Sequence, residues 1–160
     1  MLKKILLAVF SFCFVSLLSC STGNTITDPD EDFIDNPNVK FNIIARGHYS
    51  NISLANQLVI RNTKDWQQLL KINGDASLTT LPAINFDEQF VIAVYAGQQP
   101  SGGYAVEVTN IKRLDDNLFV SVALTEPEKN ENVSLVLTQP YIIVATQSVD
   151  GKVIFLANTK

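Results

Sequence analysis

Two cysteines and one histidine leave this 160-residue chain with little reactive side-chain chemistry. Cys13 lies inside an apolar leader and Cys20 ends it. Cleavage in front of Cys20 would carry Cys13 away, so the mature chain is expected to have no disulfide, no thiolate-bound metal and no cysteine nucleophile. His48 has no ligand-spaced cluster around it for zinc, and no Gly-x-Ser-x-Gly motif gives it a nucleophile to activate; its expected place is a turn beside Tyr49. The acidic pairs Asp87/Glu88, Asp115/Asp116 and Glu126/Glu128 fall in turns and loops, where carboxylates normally sit in water, and nothing favours a glycosidase pair among them. No catalytic residue, metal ligand or cofactor is assigned, and an enzyme is the least favoured class.

An excess of basic charge is also missing. The net charge is -4, from 12 Lys and Arg against 16 Asp and Glu. Five of the acids (Asp28, Asp30, Glu31, Asp32, Asp35) lie in one polar stretch and two of the bases (Lys3, Lys4) precede the leader, so from Val39 onward 11 acids face 10 bases. A nearly neutral domain without a basic, aromatic-studded patch is a poor binder of nucleic acid.

What is present begins with an address. Lys3 and Lys4 are followed by the apolar stretch Ile5–Leu18 and then Ser19-Cys20-Ser21. The stretch is about 14 residues, roughly 21 Å as a helix, too short for a hydrocarbon core of about 30 Å. It reads as a signal peptide over residues 1–19. Leu17-Leu18-Ser19-Cys20 resembles a bacterial lipobox, which implies lipidation of Cys20 and anchoring in the cell envelope. Residues 20–38 form the lipidated Cys and a flexible acidic tether, too poor in apolar residues to offset the entropy of ordering. Residues 39–160 are left for one β-rich domain with its own core.

Within that domain Val39, Phe41, Ile43 and Ala45 alternate as a half-buried strand would, and Gln57–Arg61 reads as another. Asn62 or Thr63 caps a helix near residues 63–72. Its apolar positions Trp66, Leu69 and Leu70 share one face, and Gly74 ends it. Phe90–Ala96 is continuously apolar, the pattern of a central strand covered on both faces. Tyr104, Val106 and Val108 share a face and Ile111 breaks the step, predicting a bulge near Thr109-Asn110. Further strands are expected at Leu118–Thr125, Ser134–Leu137, Tyr141–Thr146 and Val153–Ala157. The expected fold is mainly β, an antiparallel sandwich or open barrel of about seven or eight strands with one helix packed at its side.

Between two of those strands lies Gly97-Gln98-Gln99-Pro100-Ser101-Gly102-Gly103-Tyr104. Gln99-Pro100-Ser101-Gly102 fits a type I turn, with Pro second and Gly fourth. A plain hairpin link explains the composition equally well. A second Pro-aromatic step, Pro140-Tyr141, interrupts β-patterned sequence, and Pro in a strand belongs at an edge or bulge. A rim carrying Tyr104 and Tyr141 beside exposed backbone would suit protein contact. The candidate partner-binding residues are therefore Gln99, Pro100, Ser101, Gly102, Gly103, Tyr104, Pro140 and Tyr141.

At these residues the chain resembles the PrcB family of bacterial lipoproteins. The resemblance runs from Asn85-Phe86-Asp87 through Phe90–Val94, Gly97 and Pro100–Tyr104 to Pro140–Val144, with weaker support from Gly47/Tyr49 and Asp65-Trp66. The family's Thr-Gly-Gly-Tyr is Ser101-Gly102-Gly103-Tyr104 here, which keeps the hydroxyl. The resemblance implies a non-enzymatic subunit that associates with and stabilises an exported, subtilisin-like protease. A fainter similarity joins Pro100–Tyr104 and Gln139-Pro140-Tyr141 to two loops of chagasin-type protease inhibitors, although their Asn, Arg and middle Gly-rich loop are missing. A small-ligand or glycan-binding envelope domain is the third expectation, and it requires a concave pocket lined by aromatics.

Overall fold

The computed structural model describes residues 38–159 apart from 77, 79, 80 and 82. The leader, Cys20 and the tether before Asn38 lie outside the described residues. Seven strands, β1 (Phe41–Gly47), β2 (Asn56–Ile60), β3 (Gln89–Tyr95), β4 (Ala105–Leu114), β5 (Asn117–Thr125), β6 (Tyr141–Gln147) and β7 (Val153–Thr159), accompany one helix, α1 (Thr63–Asn73). They form a four-stranded sheet in the order β1-β6-β3-β2 and a three-stranded sheet in the order β4-β5-β7.

Alternation along β3 explains the layering. Phe90, Ile92 and Val94 point to one side and join Ile142 and Val144 of β6. They meet Val106, Val108, Ile111, Leu118, Val120 and Val122 of the second sheet, closing a dry inter-sheet core. Val91, Ala93 and Tyr95 point the other way, with Tyr141 and Ile143, onto Ile60, Trp66, Leu69 and Leu78. The four-stranded sheet is thus the middle of three layers, which is why β3 is apolar at almost every position. Each large side chain so buried contributes about 1.5–3 kcal/mol.

α1 forms as its sequence predicts. The Asn62 side chain accepts from the Asp65 N–H at 2.9 Å, Asp65 lies in the first turn, and Gly74 takes the left-handed conformation that ends the helix. Trp66 is core. The bulge in β4 falls between Val108 and Asn110, and Asp115 enters the tight turn into β5 with φ of 54°.

Two expectations are corrected. Val39 does not begin the first strand. Its N–H donates to Ile111 O at 2.7 Å, so the chain first touches β4 and then crosses to pair with β6. A bulge between Ile43 and Ala45 then turns Ile43 to solvent and Ile44 towards the helix layer. The sandwich is mainly antiparallel, as expected, with β7 running parallel to β5. The stretch after β6 is a crossover between sheets rather than a hairpin, and Arg61 holds it by donating to Val149 O (2.7 Å) and Gly151 O (3.2 Å). The guanidinium sits 4.5 Å from the Phe90 ring centroid, a cation–π contact at that end of the core. Finally, Ser134–Leu137 is not a strand in either sheet.

The helix-facing core contains one mismatch. Tyr95 is buried, and its hydroxyl has no hydrogen-bond partner among the described residues. Burial, followed by the neighbouring Tyr141, raises its pKa well above the ordinary 10.0. The neutral phenol is the form the fold accommodates. Its contribution is therefore complete below pH 10 and is lost as pH rises past that value, where only the unfolded chain ionises. Tyr95→Phe is expected to stabilise the protein by about 1 kcal/mol at neutral pH, by removing an unpaired buried hydroxyl. It should also flatten the alkaline fall in melting temperature, and a Tyr95→Phe protein that melts lower than wild type would refute this account.

Candidate functional site

The Gly-rich link between β3 and β4 is pinned from both sides. As β3 ends, the Ala96 N–H donates to Pro140 O at 2.9 Å. Gly97 then turns with φ of 74°, and a Cβ there would lie 2.7 Å from the Ala55 backbone nitrogen. The Gln98 N–H donates to Ser53 O at 2.9 Å. Gln99 and Thr138 exchange both backbone bonds, at 2.7 and 3.1 Å, as an isolated antiparallel bridge. The Gln99 side-chain Nε2 donates to Ala96 O and the Thr138 Oγ1 donates to Ser101 O at 2.7 Å.

The type I turn is not closed. The Gly102 N–H donates to Ser134 O at 2.8 Å instead of to Gln99 O, because residues 134–138 lie alongside and offer the better acceptor. Gly103, with φ of 83°, sits where a Cβ would strike Pro127 and Val133 at 2.7 and 2.8 Å. The loop is therefore rigid by its contacts, not loose by its glycines.

The two segments singled out by sequence are neighbours, but they do not present two rings. Pro140 and Tyr141 are buried, with Tyr141 only 1% exposed. This corrects the expectation of a surface ring. Tyr141 is the first residue of a central strand paired on both sides, and strand alternation sends it to the helix layer with Ile143. There it stacks on Tyr95 with centroids 5.9 Å apart, and its hydroxyl donates to Asp75 Oδ2 at 2.6 Å. Tyr104 is half-buried, Pro100 is exposed, and Gln99, Ser101 and Gly102 are half-buried. His48 is exposed just after β1, and its carbonyl accepts from the Gln139 N–H at 2.8 Å.

What the sequence reading did not find is the apolar surface beside this loop. Leu135 is 92% exposed, Val136 54%, Leu137 52% and, on the far side of Gln98, Leu54 79%. The signal was available in Ser134-Leu135-Val136-Leu137-Thr138. The run Leu135-Val136-Leu137 is apolar at every position, which as a strand would need cover on both faces.

Of five surface depressions, none is lined by more than one aromatic residue. One of about 670 Å³, where β1 and β3 start and β6 ends, is lined mainly by polar and small side chains such as Lys40, Gln89, Arg113 and Thr146. The aromatic pocket required for a glycan site is not formed there. Among the described residues no three His, Cys, Asp or Glu side chains group to hold a metal ion.

No curated protein and no solved structure matches the chain significantly. Residues 90–147 match the family model described as PrcB C-terminal. The match spans β3 to the end of β6, and so contains the pinned loop, the β4–β5 hairpin and the exposed Leu135–Leu137 segment. Over those residues the chain is similar to the PrcB C-terminal family.

Proposed function

We propose that this is a non-enzymatic interaction domain, held at the bacterial envelope through lipid on Cys20, that binds an exported protein through the Gln99–Tyr104 loop and Leu135–Leu137. The observation that carries the reading is the run of three exposed apolar side chains fixed beside a loop that hydrogen bonds hold in place. Rigid apolar surface is what a contact site needs, since little ordering entropy is lost on binding. The similarity of residues 90–147 to the PrcB C-terminal family supports a subunit role, and an exported subtilisin-like protease is the partner class we favour.

Photo-crosslinking from position 136 of the full chain in envelopes, with identification by mass spectrometry, tests both parts. An exported protease is expected among the adducts. Leu135→Asp is expected to remove them while leaving the melt within about 0.5 kcal/mol of wild type, because the side chain is surface. Adducts that survive Leu135→Asp would sink the surface assignment. Wild-type protein in the soluble fraction, matching a Cys20→Ala form, would end the anchoring.

A further inference from the structure

The segment 134–138 has β-patterned sequence, an exposed position and an unfinished ladder. Its register with the loop begins at Gln99–Thr138, and continuing it would pair Ser101 with Val136. That pair is not made. Ser101 O is taken by the Thr138 hydroxyl, Pro100 has no N–H to give, and Gly102 N–H goes to Ser134 O. The backbone groups of Leu135, Val136 and Leu137 consequently have no hydrogen-bond partner among the described residues. Three consecutive exposed apolar residues with unpaired backbone form a template for another strand.

The electrostatics of the rim narrow what that strand can be. The loop packed against Gly103 through Pro127 and Val133 carries Glu126, Glu128 and Glu131, all exposed, against one exposed lysine, Lys129. On the other flank, Arg46 and His48 line a separate depression together with Glu107. The acidic loop lies directly next to the open segment, so the complementary occupant carries positive charge at one end.

Resting on the interaction-domain reading above, we infer that residues 134–138 take up an extended segment of the partner by strand addition. The incoming segment alternates β-branched or other apolar residues and carries lysine or arginine at the end facing Glu126 and Glu128. Backbone bonds to Leu135–Leu137 supply the geometry, apolar contacts with Leu135 and Leu137 the affinity, and the acidic loop the direction of entry.

The test selects peptides from a random 12-residue phage-displayed library on the immobilised full chain. Expected are peptides with alternating Val, Ile or Thr and a basic end. Their affinity is expected to fall by about tenfold or more on Leu137→Pro, which removes one outward N–H that the fold itself does not use. Glu126→Lys with Glu128→Lys is expected to weaken them and reduce their salt dependence. Unchanged affinity for both variants, or no enrichment of extended peptides at all, overturns the inference. Concentration-dependent dimers of the chain that vanish with Leu137→Pro, in the absence of peptide binding, would assign the edge to a second copy and overturn it equally. If the envelope crosslinks are lost with Leu135→Asp yet ignore Leu137→Pro, strand addition fails while the contact surface stands; if neither variant changes them, the surface itself fails.

Discussion

Tyr141→Ala is expected to destabilise the domain by about 3–5 kcal/mol, enough to lower its melting temperature by more than about 10 °C. Three contacts are lost together. The ring stacks on Tyr95, it fills the space over Gly47 on the neighbouring strand, where a Cβ would come within 2.7 Å of Tyr141 Cε1, and its hydroxyl binds the Asp75 carboxylate at the end of α1. The helix side of the sheet would be left with a cavity lined by Tyr95 and Ile143, and a strand paired on both sides, with β1 and β3, cannot close it cheaply. Tyr141→Phe separates the terms. It keeps stack and volume and gives up only the bond to Asp75, at about 1–2 kcal/mol. Tyr104→Ala should cost distinctly less than Tyr141→Ala, because Tyr104 is half-buried. Equal and small losses from all three would mean that Tyr141 is not part of the core, and chemical denaturation of the four proteins decides it.

Tyr141 also shows where the sequence stops being informative. Local signals were legible. Asn62 and Gly74 mark the ends of the helix through backbone chemistry that needs no distant partner, and the period break before Ile111 marks a bulge by itself. Continuous apolarity announced Phe90–Ala96 as central without saying what covers it. Pro140-Tyr141 carried two meanings, edge or centre, and the choice depends on whether β1 arrives to pair with β6, a contact between residues about a hundred positions apart in the chain. The parallel placement of β7 is the same kind of fact, since nothing within Val153–Ala157 encodes which sheet it joins. Ser134–Leu137 fails for a different reason. Its intrinsic preference is for a strand, and it lies beside a segment whose proline and committed carbonyl refuse the ladder. The adjacency of Gly97–Tyr104 and residues 138–140, the part of the candidate site the fold brings together, was not derivable from either segment alone.

Gly97→Ala is expected to be the second most damaging change, at about 2–4 kcal/mol, through backbone alone. The residue is buried at φ of 74°, a conformation costing an L side chain about 1–2 kcal/mol. Its new methyl would meet Ala55 N at 2.7 Å and Ser53 O at 3.1 Å, main-chain atoms that cannot rotate aside. Relief requires moving either the exposed 53–55 segment, which breaks the Gln98–Ser53 bond, or the loop. Moving it breaks the Gln98–Ser53 bond first and strains the Gln99–Thr138 bridge next. Hydrogen exchange should therefore quicken at the amides of Gln98, Gln99 and Thr138, while those of β5, far from the loop in the other sheet, change only with global stability. A contact surface that depends on preorganisation should lose its partner in the same variant, even at a temperature where the fold persists. Unchanged exchange at Gln98 and Gln99, together with undiminished crosslinking from position 136, would show a loop that adapts to its partner instead of being built for it.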